Sequence, residues 1–440
     1  MIPQRLQWVN LDDRARKTAL KRPSVNVPGL HESVSEIINQ VREGGDGALM
    51  RLTEKFDDCR PESLQVSQSD LENALNQAED RLINAIKDAG QRIRLFHQAD
   101  IPGEIRIETA TGLTCTASYR PLQRVGIYVP AGSAPLISTV MMLAIPAILA
   151  GCKEIIMCSP PGPDGRVAAE ILASAKLCGV DQVFCIGGAQ AIAAMAYGTE
   201  SIPACHKIFG PGNAWVTAAK QQVSQDPAGA AIDMPAGPSE VLVIADHAAA
   251  SGDGIDFICW DLLSQAEHGP DSQVILLTDS TELADAVMKR LAILGPASPR
   301  RDILQKSLSS ARVIVVEDIR QAIEISNEYA PEHLILNTVK ASELASQVEH
   351  AGSVFIGRWT PESLGDYCSG TNHVLPTFGF AKSHGALGVS DFMRRMTFQE
   401  ASAEGLLRVG PTAQVLAEIE QLDAHRMAVV ARLDSLGKSA

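Results

Sequence analysis

The sequence predicts an α/β protein with two lobes, each built on a mostly parallel sheet. From about residue 122, short β-branched segments alternate with Ala-rich helical segments, and this alternation runs in two successive series. The pattern is typical of βαβ units, whose parallel sheet is covered by helices on both faces. We therefore expect the functional cleft between the two lobes.

The elements follow in chain order. Long polar helices are expected before residue 120, in HESVSEIINQVREGGDGALMRLTEKFD and SDLENALNQAEDRLINAIKDAGQRIRLFHQAD, packed against one lobe. The first series of strands is RVGIYVP, KEIIMCSP, QVFCIGG and KIF, and the second is EVLVIAD, QVILLTD, ARVIVVED, HLILN and SVFIG. From about Val389 the chain is again predicted to be helical. Its final stretch has an amphipathic stripe typical of packing against another element or subunit.

The composition argues against nucleic-acid and membrane partners. With 52 acidic and 38 basic residues and 4% aromatics, the chain lacks the charge and stacking rings of a nucleic-acid-binding surface. Its most apolar stretch, Leu136 to Cys152, is shorter than the ~20 residues that span a bilayer. The first residues lack the apolar core of a secretory signal, so we expect a cytoplasmic location. The nine cysteines form no C-x-x-C pair, which favours reduced thiols and a metal site of nitrogen and oxygen ligands.

Two glycine-containing segments follow predicted strands, GGAQAIAA at 187–194 and GPGNAW at 210–215. Strand-to-helix junctions expose backbone N–H groups that suit a phosphate. Tight-turn packing is the commoner reason for such glycines, so neither segment alone predicts a nucleotide site.

Gln265 and His268 are spaced i, i+3 on a predicted helix. They could direct an amide oxygen and an imidazole at one ion, although a capping or surface histidine has the same spacing. Glu332 and His333 are adjacent at the mouth of an apolar strand. A carboxylate beside an imidazole could be a general-base pair, or a surface dipeptide.

Two further acid and histidine pairs occur near the end of the chain. Asp366 and His373 lie in a glycine-broken loop, and Glu420 and His425 lie in the tail. The spacing alone does not join either pair to a site.

Six segments, in their order and spacing, resemble the histidinol dehydrogenase family. They are GGAQAIAAMAYGT, GPGNAWVTAAK, IDMPAGPSEVLVIAD, DLLSQAEHGPDSQ, APEHL and GDYCSGTNHVLPT. The resemblance runs from about Val125 into the tail. It implies a zinc- and NAD-dependent enzyme of histidine biosynthesis that oxidises L-histidinol through L-histidinaldehyde to L-histidine, consuming two NAD.

The resemblance also implies the roles of individual residues, carried over position by position. One zinc ion per subunit would be held by Gln265, His268, Asp366 and His425. The bases would be Glu332 and His333. Substrate would contact Ser239, Glu420, His333 and the zinc ligands, while the nicotinamide cofactor would contact Tyr128, Gln190 and Asn213.

The fold implied by the resemblance is two incomplete Rossmann-like lobes with small helical terminal segments. The expected divisions are a helical segment at 1–24, a first lobe with the metal and base residues at 25–124 and 236–385, a second lobe with the cofactor contacts at 125–235, and a helical tail at 386–440. The tail is expected to be exchanged between the subunits of a homodimer, so that His425 and Glu420 complete the partner's site.

Three other functions fit parts of these observations. A dehydrogenase of the same superfamily could act on another small diol or amino alcohol. A zinc hydrolase could use Glu332 as its base and need no cofactor. A regulatory nucleotide-binding module would need no catalysis at all. Formation of NADH on addition of histidinol separates the predicted enzyme from the last two.

Overall fold

The structure is a computed structural model that describes residues 3–23, 28–131, 134–234 and 237–437. Its strands are β1 Gln4–Gln7, β2 Ile105–Ala110, β3 Leu113–Pro121, β4 Arg124–Tyr128, β5 Glu154–Ser159, β6 Gln182–Cys185, β7 Lys207–Phe209, β8 Ala231–Ile232, β9 Glu240–Ala245, β10 Gln273–Thr278, β11 Arg312–Val315, β12 His333–Asn337, β13 Ser353–Ile356 and β14 Met393–Ala401. Its α-helices are α1 Asp13–Ala19, α2 Leu30–Asp57, α3 Gln68–Gln77, α4 Asp80–Ala99, α5 Ile137–Ala150, α6 Ala169–Leu177, α7 Gly188–Tyr197, α8 Ala214–Gln225, α9 Gly254–Ala266, α10 Thr281–Ala297, α11 Arg301–Ser310, α12 Ile319–Tyr329, α13 Ala341–Ala345, α14 Glu362–Tyr367, α15 Ala403–Ile419 and α16 Asp423–Gly437.

The first lobe is built on a six-stranded sheet in the order β1-β11-β10-β9-β12-β13, with every pairing parallel. All residues of β9 and β10 are buried. Alternate residues of β9 enter two separate cores, Val241 and Val243 on one face and Leu242 and Ile244 on the other. Because both faces are covered, these strands are continuous apolar runs rather than alternating ones.

The second lobe is built on a five-stranded parallel sheet in the order β6-β5-β4-β7-β8. Its central strand β4 also contributes side chains to two hydrophobic cores, with Ile127 on one face and Tyr128 on the other. Two lobes with parallel sheets confirm the predicted fold class.

Helices α2, α3 and α4 pack on the second lobe, and the predicted assignment of 25–124 to the first lobe is wrong for them. The contacts join α2 to α7 and α8, α3 to α6, and α4 to α5. Helix α5 explains part of this arrangement, because its residues from Ser138 to Ala147 are all buried. A helix that is apolar on every side needs a second covering layer, which α4 provides.

Both terminal segments contain a strand where the sequence predicts helix. Strand β1 pairs with β11 at the edge of the first sheet, so the segment 1–24 is not purely helical. Strand β14, in the predicted helical tail 386–440, pairs along its whole length with β3 in a small antiparallel sheet β14-β3-β2. In both cases the backbone bonds to a strand far away in the sequence, which local periodicity cannot reveal.

Helices α15 and α16 of the tail pack against each other. Within the described ranges, none of the helices has both the length and the apolar character to cross a membrane. The nine cysteines all lie in those ranges as free thiols, and five of them are buried.

Candidate active site

Glu332 and His333 lie at the amino end of β12, beside the first residue of β9. The backbone of that residue, Glu240, contacts both side chains. Its N–H donates to Oε2 of Glu332 at 2.7 Å, and its C=O oxygen lies 3.0 Å from Nδ1 of His333. Both predicted bases are buried. The structure therefore places both side chains together at the amino end of one strand.

The contacts of His333 determine which ring nitrogen can act as a base. A C=O oxygen only accepts hydrogen bonds, so Nδ1 carries the proton when the ring is neutral. Nε2 lies 3.5 Å from Oδ1 of Asp366 and has no hydrogen-bond partner among the described residues. Its lone pair is the one available to take a proton from a substrate.

Buried carboxyl groups surround this imidazole. Burial disfavours charge on His333, but the carboxylates of Glu332 and Asp366 outweigh burial and raise the pKa of His333 well above its ordinary value. Burial also raises the pKa of Glu332, against the effect of His333. Glu362, one helical turn before Asp366, has a pKa raised well above the ordinary value by burial and by Asp366. Such a concentration of carboxyl groups favours a nearby cation.

Gln265 lies in the last turn of α9, and His268 lies in the turn that follows. The Oγ of Ser264 donates to Oε1 of Glu362, which joins the end of α9 to α14. The side chain of Gln265 is buried at 1% exposure, and its Oε1 has no partner in the described part of the chain. A buried amide oxygen without a protein partner is a candidate ligand of a bound group, and the carboxyl end of the α9 dipole adds partial negative charge there.

Asp366 is surrounded by imidazoles. Burial raises the pKa of Asp366, but His333, His373 and His268 outweigh it and lower that pKa below its ordinary value. His268 is exposed in the single chain, yet desolvation by the surrounding protein lowers its pKa despite the opposing effect of Asp366. Within the described ranges, no three His, Cys, Asp or Glu side chains form a metal-binding group. The predicted ligand set is of another kind, because it includes an amide and a histidine from the tail.

Two residues border this cluster. Nδ1 of His373 lies 2.9 Å from the C=O oxygen of Asp366, and its Nε2 lies 3.3 Å from Oγ1 of Thr139 on α5. His373 therefore connects the Asp366 segment to the second lobe. Ser239 directly precedes Glu240, is half-buried, and accepts a bond from the N–H of Gln273 at 3.0 Å through its C=O oxygen.

Tyr128, Gln190 and Asn213 all lie at the carboxyl end of the second sheet. Tyr128 is the last residue of β4, and its Oη accepts a bond from the N–H of Gly188 at 3.1 Å. Burial raises the pKa of Tyr128 to about 12, so the phenol stays protonated. Gln190 is buried in the first turn of α7. Asn213 caps α8, its Oδ1 accepting from the N–H groups of Trp215 and Val216.

A buried ion pair holds the loop between β7 and α8. Lys220 pairs with Asp233 and donates to the C=O oxygen of Gly210 at 2.9 Å, while Asp233 accepts from the N–H of Gly210 at 2.7 Å. Gly210 has a φ of +118°, and a Cβ there would lie 2.3 Å from the C=O oxygen of Tyr128. Only glycine fits this approach of the loop to β4.

Glu420 and His425 are not brought to the other site residues within one chain. Both side chains are exposed, and in the described chain neither forms a hydrogen bond or an ion pair. The tail also exposes a set of large apolar side chains: Leu407, Val415, Leu416, Ile419, Leu422 and Met427.

Sequence reasoning missed Glu240, Glu362 and Arg22. Glu240 opens an apolar strand directly after Ser239, and a charged residue in that position is a usable signal. Glu362 lies four residues before Asp366, on the same helical face. Arg22 carries no local signal, because its partner Glu240 is 218 residues away.

Several known proteins are similar to this chain. The family model described as histidinol dehydrogenase matches residues 20–433. The histidinol dehydrogenase of Vibrio parahaemolyticus is 50% identical over 430 residues, covering 98% of each chain. That of Campylobacter jejuni is 50% identical over 438 residues, covering 98% of this chain and 100% of the other. The crystal structure of histidinol dehydrogenase from Elizabethkingia anophelis matches with a TM-score of 0.94 and 42% identity, covering 99% of both chains.

Proposed function

The chain belongs to the histidinol dehydrogenase family of oxidoreductases, as its six segments predicted, and on that premise we propose the reaction that it catalyses. The enzyme oxidises L-histidinol through L-histidinaldehyde to L-histidine and uses two NAD and one zinc ion per subunit. The observation that carries this proposal is the buried pair Glu332 and His333, with Nε2 of His333 directed at Asp366 and free of other partners.

His333 removes protons in both oxidations. Its Nε2 takes the hydroxyl proton of histidinol as hydride leaves the carbinol carbon, which yields the aldehyde. Glu332 then takes a proton from water as the water adds to the aldehyde carbon and forms the hydrate. Once the first proton has passed from Nε2 to water, Nε2 takes a hydroxyl proton of the hydrate as the second hydride leaves to the second NAD, which yields the carboxylic acid. Both oxidations use one site, so the reactive aldehyde is not released.

The residues present fit a zinc ion. Gln265, His268 and Asp366 would supply three ligands, and His425 of a second subunit would supply the fourth. The buried Oε1 of Gln265 without a partner supports this set, as does the surplus of carboxyl groups. With Asp366 engaged by a cation, its contribution to the raised pKa of His333 would be reduced, which favours the neutral ring whose Nε2 accepts the substrate proton.

When bound, zinc supplies a Lewis acid that orients the substrate through its imidazole and amine, and NAD accepts the hydride of each oxidation. Ser239 and Glu420 complete the contacts to substrate, and Glu420 comes from the same tail as His425. Tyr128, Gln190 and Asn213 contact the cofactor. The amino ends of α7 and α8 lie beside these residues and suit the negative charge of a pyrophosphate.

The enzyme works as a homodimer that exchanges its tails, in the cytoplasm. The exposure of Glu420 and His425, together with the exposed apolar side chains of the tail, supports a second chain as their neighbour. Mixing and reassembling inactive His333→Asn and His425→Asn subunits tests the exchange. One intact site in each heterodimer should return about a quarter of wild-type activity. Without recovery, each site would be built from one chain.

The stoichiometry of NADH tests the reaction itself. Complete oxidation yields two NADH per L-histidinol, and the yield should disappear with a chelator and return with Zn²⁺. One NADH per histidinol would mean that the reaction stops at the aldehyde, and full activity with chelator would remove zinc from the proposal.

A further inference from the structure

A buried ion pair between Arg22 and Glu240 lies next to the two predicted bases. The side chains are 18% and 3% exposed, respectively. Nε of Arg22 donates to Oε1 at 2.5 Å, and Nη2 donates to Oε2 at 2.9 Å. A bidentate pair of this kind fixes the orientation of the carboxylate as well as its position.

The same guanidinium holds the segment that leads into Glu332. Nη2 donates to the C=O oxygens of Tyr329 and Ala330 at 2.8 and 3.2 Å, and the Tyr329 ring centroid lies 3.9 Å from the guanidinium carbon. Ala330 has a φ of +54°, in the left-handed region that alanine seldom occupies. Arg22 therefore ties the end of α12 to the start of β9, which are the two segments around the bases.

The backbone of Glu240 contacts both bases, so a restraint on Glu240 also restrains them. One of its peptide groups holds Glu332 and the other holds Nδ1 of His333. Its Oε1 also accepts from the N–H of Phe378 at 3.0 Å. Any rotation of the Glu240 backbone would therefore change both contacts to the bases at once.

We infer that Arg22 and Glu240 are positioning residues, which hold Glu332 and His333 in the geometry that both oxidations need. The inference rests on the proposed function, because it concerns the same two bases. A displacement of about 1 Å at a reacting group can cost about 100-fold in rate. A merely structural ion pair would lower thermal stability and leave the turnover of the folded enzyme unchanged.

The test compares Arg22→Ala and Arg22→Lys with Arg290→Ala in the dimeric, zinc-loaded enzyme. Arg290 makes a bidentate pair with Asp256 in the first lobe, at 2.6 and 2.7 Å, with more exposed side chains (37% and 39%). In Arg22→Ala we expect kcat to fall about 30-fold while KM for histidinol and NAD stays within about 3-fold. Millimolar guanidinium should restore kcat at least several-fold. In Arg22→Lys, which keeps the charge but loses the fork, kcat should fall about 10-fold without rescue. Arg290→Ala should keep the wild-type kcat with or without guanidinium.

Two outcomes would overturn the inference: a wild-type kcat in Arg22→Lys, or a low kcat in Arg22→Ala that guanidinium leaves unchanged. If Arg22→Ala does not fold, kcat of Arg22→Lys at an unchanged thermal midpoint decides alone. The wild-type enzyme is measured in parallel. Failure of the wild type to give two NADH per histidinol contradicts the proposed function itself, whereas normal wild-type and variant turnover contradicts only the positioning role.

Discussion

The two sheets share one plan but carry their site residues at opposite ends. In each, a central strand has later strands on both sides, β10 and β12 around β9, and β5 and β7 around β4. Tyr128 is the last residue of β4 and Asn213 follows β7, so both lie at the carboxyl end, where ligands of such sheets usually bind. Glu332 and His333 stand instead at the amino end of β12.

The helices explain what each end can hold. Helices α7 and α8 begin at the carboxyl end of the second sheet, and the positive ends of their dipoles favour an anion. Helices α9 and α12 finish at the amino end of the first sheet, and the negative ends of their dipoles favour a cation. On the proposed function, one α/β plan would serve an anionic cofactor at the carboxyl end of one sheet and a metal with its bases at the amino end of the other.

The largest effect is expected at the amino end of the first sheet, where Glu332 and His333 lie. His333→Asn should lower kcat about 100-fold or more, since on the proposed function it removes the base of both oxidations, while NAD affinity stays normal. Steady-state kinetics and a cofactor-binding titration measure the two quantities. The matched control is His247→Asn, because His247 is exposed just beyond the carboxyl end of β9. A near-normal turnover in His333→Asn would remove this residue from its role.

Glu332→Gln tests whether the two bases at the amino end of the first sheet act on different steps. We expect a loss of about 100-fold, with oxidation of added L-histidinaldehyde reduced at least as much as oxidation of L-histidinol, because Glu332 acts on the hydration step. Comparing initial NADH formation from the two substrates gives the ranking. The opposite ranking would contradict the water-activating role.

Asn213→Ala tests the proposed cofactor contacts at the carboxyl end of the second sheet. We expect KM for NAD to rise about 10-fold with little change in kcat, since the residue contributes binding in ground and transition states alike. The lost helix cap should also cost about 1 kcal/mol of stability. Asp318→Ala is the control, because Asp318 caps α12 in the first lobe by accepting from the N–H of Gln321 at 2.8 Å. An equal rise of KM in both variants would mean that capping, not cofactor contact, is responsible.

The smallest effect concerns stability against pH. Burial raises the pKa of Asp261 to about 7, so the folded state binds a proton that the unfolded state has released at neutral pH. Stability should fall by about 1.4 kcal/mol as the pH rises from 6 to 8, and Asp261→Asn should lose this part of the dependence. Thermal unfolding of the metal-free protein at several pH values measures it. Parallel curves for both proteins would place the titration elsewhere.

Most of the fold could be predicted from the sequence, because buried parallel strands are continuous apolar runs such as EVLVIAD and QVILLTD. The sequence could not predict strands β1 and β14, or the lobe that α2 covers. Each of these features depends on a partner distant in the chain. At the site, adjacency singled out Glu332 and His333. The ion pair of Arg22 with Glu240 had no local pattern to indicate it.

The pairing of β1 with β11 sets an order of assembly during synthesis. Gln4 lies opposite Arg312, so β1 finds its neighbour only after about 300 further residues have been synthesised. At about 5 to 20 residues per second, that wait lasts about 15 to 60 seconds. Until then the strand has no sheet to join, and Arg22, a few residues further along, cannot yet meet Glu240 in a finished lobe. The nascent chain must keep its beginning unpaired until the first lobe is nearly complete.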